Sequence, residues 1–144
     1  MVWQPRCTSK YKLNTDAAID ADGKLMGFGT VICDSEGMII TTSSQRIVAT
    51  YPPYVAEAIA MYRGLLLAAD IGVFSVEVES DTTTVVKWVV DGDHKNSDID
   101  LILSDIRNLI QNFNICSISF MSGKTNNVAH YQAKMAFCLF EDCF

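Results

Sequence analysis

Two consecutive prolines, Pro52 and Pro53, divide this chain into unlike halves. Neither can donate to a sheet ladder, so strand pairing stops there, whereas proline is well placed at the start of a helix. Upstream the pattern is β. Residues 11–17 (YKLNTDA) alternate as a first strand, and 18–25 (AIDADGKL) form a polar turn containing Asp22 and Gly23. Residues 28–33 and 38–48 are apolar and β-branched, separated by DSEG at 34–37. This spacing predicts a three-stranded antiparallel meander.

Downstream the period changes. Residues 54–70 (YVAEAIAMYRGLLLAAD) are rich in Ala, Leu and Met, all good helix formers, and Ile71–Gly72 supplies a stop. Residues 73–79 read as a fourth strand, with Val76 and Val78 alternating with Glu77 and Glu79, which this pattern assigns to a solvated face. Asp81 is placed to cap a helix running to about Val90, and DGDHKNS (91–97) is a loop. From Ser97, residues Ile99, Ile102, Leu103, Ile106, Leu109, Ile110 and Phe113 follow helical spacing. Residues 115–120 form a fifth strand, and a last helix runs from Asn126 to about Phe140. The order β-β-β-α-β-α-α-β-α predicts one mixed sheet with helices packed on it, in a single domain over 1–144 after an irregular lead-in at 1–9.

Composition narrows the function classes. With 144 residues, 49% of them hydrophobic and 19% charged, the chain can build a core. No apolar run approaches the roughly 20 residues of a membrane span, and MVWQPRCTSK has no secretory h-region, which points to an intracellular protein of nucleus or cytoplasm. Five cysteines without a CxxC pair, of which Cys33 and Cys116 lie in strand-like runs, read as reduced, partly buried thiols. His94 and His130 are the two histidines, too few for a zinc spacing with those cysteines. A net charge of −6 counts against tight, nonspecific nucleic-acid binding, but is compatible with a metal site.

Three acids fall at boundaries. Asp16 lies near the end of the first strand, Glu57 in the first turn of the first long helix, and Asp81 at the end of the fourth strand. Each has a modest explanation: a strand-end residue, a complement to the helix dipole and an N-cap. If strands one and four are neighbours, however, all three converge. Carboxylates so crowded raise one another's pKa values, and a divalent cation removes the repulsion. Oxygen-only ligands favour Mg²⁺ or Mn²⁺. The corresponding chemistry is two-metal phosphodiester hydrolysis, in which one ion activates water and the other stabilises the leaving oxygen.

Three blocks, KLNTDAA (12–18), AEAIAMYRGLLLAADIGVFSVEVESD (56–81) and NNVAHYQAKMA (126–136), resemble the plant-type RNase H-like family, related to the ribonuclease H domains of retroelement reverse transcriptases. The resemblance runs from about Trp3 to Ala136, and the middle block carries most of its specificity. It implies a ribonuclease H fold, a five-stranded mixed sheet with helices on both faces and with strands one and four adjacent. It implies that Asp16, Glu57 and Asp81 match three of the family's four metal-binding acids, Asp16 bridging two ions. The implied substrate is the RNA strand of an RNA–DNA hybrid, recognised through its 2′-hydroxyls. Asn14, Asn126 and Asn127 are candidate substrate contacts, with turn or capping roles as the alternative.

The chain also departs from that pattern. His130 stands where the family has its fourth acid; it either moves a proton or is a half-exposed helix histidine beside Lys134. Aligning on VAH puts Phe120 and Gly123 where relatives often carry a histidine and an arginine, leaving Lys124 as the cation of that loop. Ala17 replaces the usual glycine after the first acid, and DGDHKNS is too short for a basic protrusion. Two readings follow. One is an RNase H-type endonuclease with weak intrinsic affinity, aided by a neighbouring domain of a longer protein. The other is a catalytically silent module on the same fold that binds nucleic acid or a protein partner.

Overall fold

Three strands in hairpin succession, β1 (Tyr11–Asp20), β2 (Leu25–Cys33) and β3 (Ile39–Ile47), precede the first helix, α1 (Pro53–Asp70). Then come β4 (Ser75–Ser80), α2 (Thr83–Asp91), α3 (Ser97–Ile110) and β5 (Ile115–Phe120). This computed structural model describes residues 10–20, 22, 24–49, 51–91, 97–120, 128, 129, 132 and 133. The four described residues beyond β5 have helical backbone, within the span expected for a last helix, most of which lies outside the described residues. None of the described helices is long and apolar enough to cross a membrane.

The sheet order is β3-β2-β1-β4-β5, with β1–β2 and β2–β3 antiparallel and β1–β4 and β4–β5 parallel. Strands one and four are therefore neighbours, as the acids require. The meander is longer at its first turn than the sequence pattern indicates. Pairing of β1 with β2 continues to Asp20↔Leu25, so residues 21–24 are left as the connection and Asp16 lies inside β1 rather than near its end. Lys24 takes a left-handed φ of 52° to close it.

Pro53 opens α1, one residue earlier than expected, and the amides of Val55 and Ala56 donate to the Pro52 carbonyl. Glu57 consequently lies beyond the first turn, and its reading as a dipole complement there is corrected. At the other end Gly72 has φ +82°, its N–H donates to the Ala69 carbonyl and that of Val73 to the Ala68 carbonyl. This is a Schellman closure, and it occupies Val73, which is why β4 starts at Ser75. After β4, Thr82 holds the N-cap position of α2: its carbonyl accepts from Val86 N. Asp81 precedes the cap, a second correction.

One face of the sheet carries α1, α2 and α3. Leu13, Ile32, Val76 and Val78 pack there with Met61, Leu65, Val85, Ile99, Leu103 and Ile106 in one buried cluster. Each of these larger side chains contributes about 1.5–3 kcal/mol on burial. Phe28 meets Ala56 and Ala60 of α1. Strand alternation points the next residue, Gly29, at the opposite face, where it lies against Ala129, Gln132 and Ala133. Ser44 of the neighbouring β3 donates to the carbonyl of Gln132 at 2.7 Å on the same side. Helical segments thus lie on both faces. The solvated face assigned to β4 is also corrected, since Glu79 is 5% exposed. The interior position of β4, flanked by β1 and β5, places Glu79 between Asn14 and Ser119. Cys33 and Cys116 are free and half-buried.

A Cβ at Gly29 would collide with the Ala129 carbonyl and the Ala133 amide, both backbone and unable to swing away. Gly29→Ala should therefore destabilise the fold by about 1–3 kcal/mol in urea denaturation, as overpacking does. An unchanged midpoint would contradict this packing.

Candidate metal centre

The site originates in a mismatch of strand lengths. The β1/β4 register ends at Asn14↔Glu79; two residues further along the chain stand Asp16, still in β1, and Asp81, just past the end of β4. β4 terminates at Ser80, whereas β1 runs on to Asp20 beside β2. Past the end of β4, the Ala17 N–H is taken by a side chain: it donates to Glu57 Oε1 at 2.9 Å. That bond draws the α1 carboxylate to β1, directly beside Asp16.

Oxygens from Asp16, Glu57 and Asp81 all lie within 4.8 Å of one another. Asp16 is buried at 3% exposure, and the other two are half-buried. Glu57 carries the electrostatic consequence. Its pKa rises to about 9, first because burial disfavours its charge, then through the Asp16 charge, a hydrogen bond with Asp16 and the Asp81 charge. The Ala17 amide opposes the rise but does not cancel it. At neutral pH Glu57 therefore keeps its proton. Three crowded hard oxygen donors, one of them kept protonated by its neighbours and by burial, fit a hard divalent cation in chemistry and in charge.

Beside the acids a cleft of about 490 Å³ is lined by Pro53, Tyr54, Glu57, Asp81, Thr82, Thr83 and Thr84. The three threonines were not among the residues expected from sequence. Their signal was present as TTT directly after the strand-end acid, at a helix start. Tyr54 is held edge-on to Trp88 of α2, with centroids 5.6 Å apart, which ties the two walls of the cleft together.

The other expected site residues divide in two groups. Asn14 is described, and its Nδ2 donates to Glu79 Oε1 at 3.2 Å. Lys124, Asn126, Asn127 and His130, like Gly123, lie outside the described residues, as does the side chain of Phe120.

A mixed sheet ordered 3-2-1-4-5 with an acidic cluster where β1 outlasts β4 defines an RNase H-like protein. The model of the reverse transcriptase-like family matches residues 14–136, most of the chain, and the protein belongs to that family. A search of curated proteins finds no significant match. Among solved structures, the chain is similar to RNase H1 from the halophilic archaeon Halobacterium salinarum, at 24% identity and a TM-score of 0.83, over 89% of this chain and 97% of that one. LC11-RNase H1 in complex with an RNA/DNA hybrid is 22% identical, with a TM-score of 0.79 over 88% of this chain and 96% of that one. The prototype foamy virus protease-reverse transcriptase matches at 16% identity and a TM-score of 0.69, over 94% of this chain and 22% of that one. At these identities the solved structures establish the fold.

Because folded Glu57 holds its proton up to about pH 9 while the unfolded chain releases it near 4.5, the native state binds more protons between these values. Metal-free stability should thus be fullest below the lower value and decline as pH rises through the window, by at most about 1.4 kcal/mol per pH unit from this group. Glu57→Gln can keep the Ala17 hydrogen bond without a charge, so it should flatten that decline. Thermal melts in chelator from pH 5 to 9 would test this; a wild-type melting temperature that rises with pH would contradict it.

Proposed function

We propose that this chain is a metal-dependent endonuclease of RNase H type that hydrolyses the RNA strand of RNA–DNA hybrids, with weak intrinsic affinity for its substrate. The observation that carries the reading is the convergence of Asp16, Glu57 and Asp81 within 4.8 Å. Asp16, Glu57 and Asp81 would together hold the two divalent ions of this chemistry. When bound, such ions supply an activated water and charge stabilisation at the leaving oxygen. The protein's own share is to hold the carboxylates in place, through β1, the Ala17–Glu57 bond and the end of β4.

Membership in the reverse transcriptase-like family supports this reading, as does the hybrid bound to LC11-RNase H1, a protein of the same fold. His130 takes the place of a fourth carboxylate and carries a proton to or from the reacting phosphate. Lys124 and Asn126 contact the substrate backbone. The cleft lined by Tyr54 and Thr82–Thr84 receives the nucleic acid next to the scissile bond. A net charge of −6 leaves little attraction for a polyanion, so a neighbouring domain of a longer protein supplies affinity, and residues 1–144 act as one plant-type RNase H-like domain beside it. The same charge favours, as second reading, a silent module that binds a partner without turnover.

Cleavage of a labelled RNA–DNA hybrid separates the two. In Mg²⁺ or Mn²⁺ the wild type should cut the RNA strand, and Asp81→Asn should lower the rate on the order of 100-fold or more. Hybrid left intact in both metals would favour the module. His130→Ala should slow turnover on the order of 100-fold or more, as expected for loss of one general acid–base group, while leaving the Mn²⁺-induced rise in melting temperature in place.

A further inference from the structure

The hydrogen bond between Asn14 and Glu79 has no part in the chemistry above, yet its position is unusual. It joins β1 to β4 at their last register pair, and it consumes a carboxylate that is 5% exposed. A buried carboxylate is costly unless its oxygens are hydrogen-bonded, so an ordinary core residue at 79 would have been the cheaper choice for stability alone. Residues two apart on a strand share a face and stand about 6.6 Å from each other along it. Two residues beyond Asn14 is Asp16, and two beyond Glu79 is Asp81. The acids therefore form the next rung after the Asn14–Glu79 rung, but without a ladder of their own, because β4 stops at Ser80.

We infer that Asn14 and Glu79 are positioning residues for the metal centre. Their side-chain bond fixes β1 against β4 at the final paired step, and this sets the separation of Asp16 from Asp81 one step beyond it. Asn14 thereby acts through Glu79 on the acids, rather than through contact with substrate. The inference rests on the metal-centre reading proposed above, and it specifies a hydrogen bond, not the charge of Glu79, as the operative feature.

Direct Mn²⁺ binding, followed by loss of the free-ion electron paramagnetic resonance signal, tests it on the whole chain, with circular dichroism confirming that each variant is folded. Asn14→Ala and Glu79→Ala should each weaken Mn²⁺ affinity about 10-fold, in the range found when outer-shell partners of metal ligands are removed. The double variant should be no weaker than the weaker single one, since both remove the same bond. Glu79→Gln keeps an acceptor oxygen for Asn14 and should stay within about twofold of wild type. Unchanged affinity in Asn14→Ala, additive losses in the double variant, or a loss in Glu79→Gln equal to that in Glu79→Ala would each overturn the inference while leaving the metal centre standing. A wild-type chain that binds no Mn²⁺ would remove both. Should an alanine variant fail to fold, the exchange Asn14→Asp with Glu79→Gln, which reverses donor and acceptor, decides the matter: retained affinity supports the inference and a tenfold loss overturns it.

Discussion

Everything in the site follows from one mismatch: β1 continues for residues after β4 has ended. In a parallel pair each backbone amide on the shared edge finds a carbonyl across the gap. Once β4 stops at Ser80, the edge of β1 at Ala17 has to find another acceptor, and Glu57 from α1 provides it. The same break leaves Asp81 at the mouth of the gap, opposite Asp16. A need for backbone hydrogen bonding thus gathers three acids that lie 41 and 24 residues apart in sequence, from 16 to 57 and from 57 to 81.

That arrangement is unfavourable on its own. Burial and two neighbouring carboxylates push Glu57 far from its ordinary pKa, and the surrounding fold has to absorb the cost. The helix face of the sheet is well equipped for this, with Leu13 and Val78 packed beneath Met61 and Leu65 close to the acids' strands. On the opposite face Gly29 admits the segment around Ala129 and Ala133, so β2, the partner that supports β1 where β4 cannot, is held from both sides. Scaffold and site are parts of one solution: the core offsets the repulsion, and bound cations would supply the counter-charge.

Much of this was legible in the letters. The proline pair, the helical spacing after Ser97 and the Ile71–Gly72 stop located the elements because each has a local physical cause. Resemblance to the RNase H-like family supplied the adjacency of strands one and four, which no local pattern encodes. What escaped the sequence was set by neighbours. Alternation assigned Glu79 to a solvated face, but a strand flanked on both sides buries its polar positions as well. Asp81 looked like an N-cap because it precedes a helix, whereas the carbonyl that accepts the first helical bond belongs to Thr82. The hydrogen bond from Asn14 to Glu79 joins residues 65 apart and is invisible to spacing. His130, Lys124 and Asn126 rest on the resemblance alone.

The most direct test is anomalous scattering from crystals grown with Mn²⁺. The account predicts manganese density among Asp16, Glu57 and Asp81, with Glu57 deprotonated when the ion is bound. Manganese bound elsewhere while these three side chains point apart would contradict it.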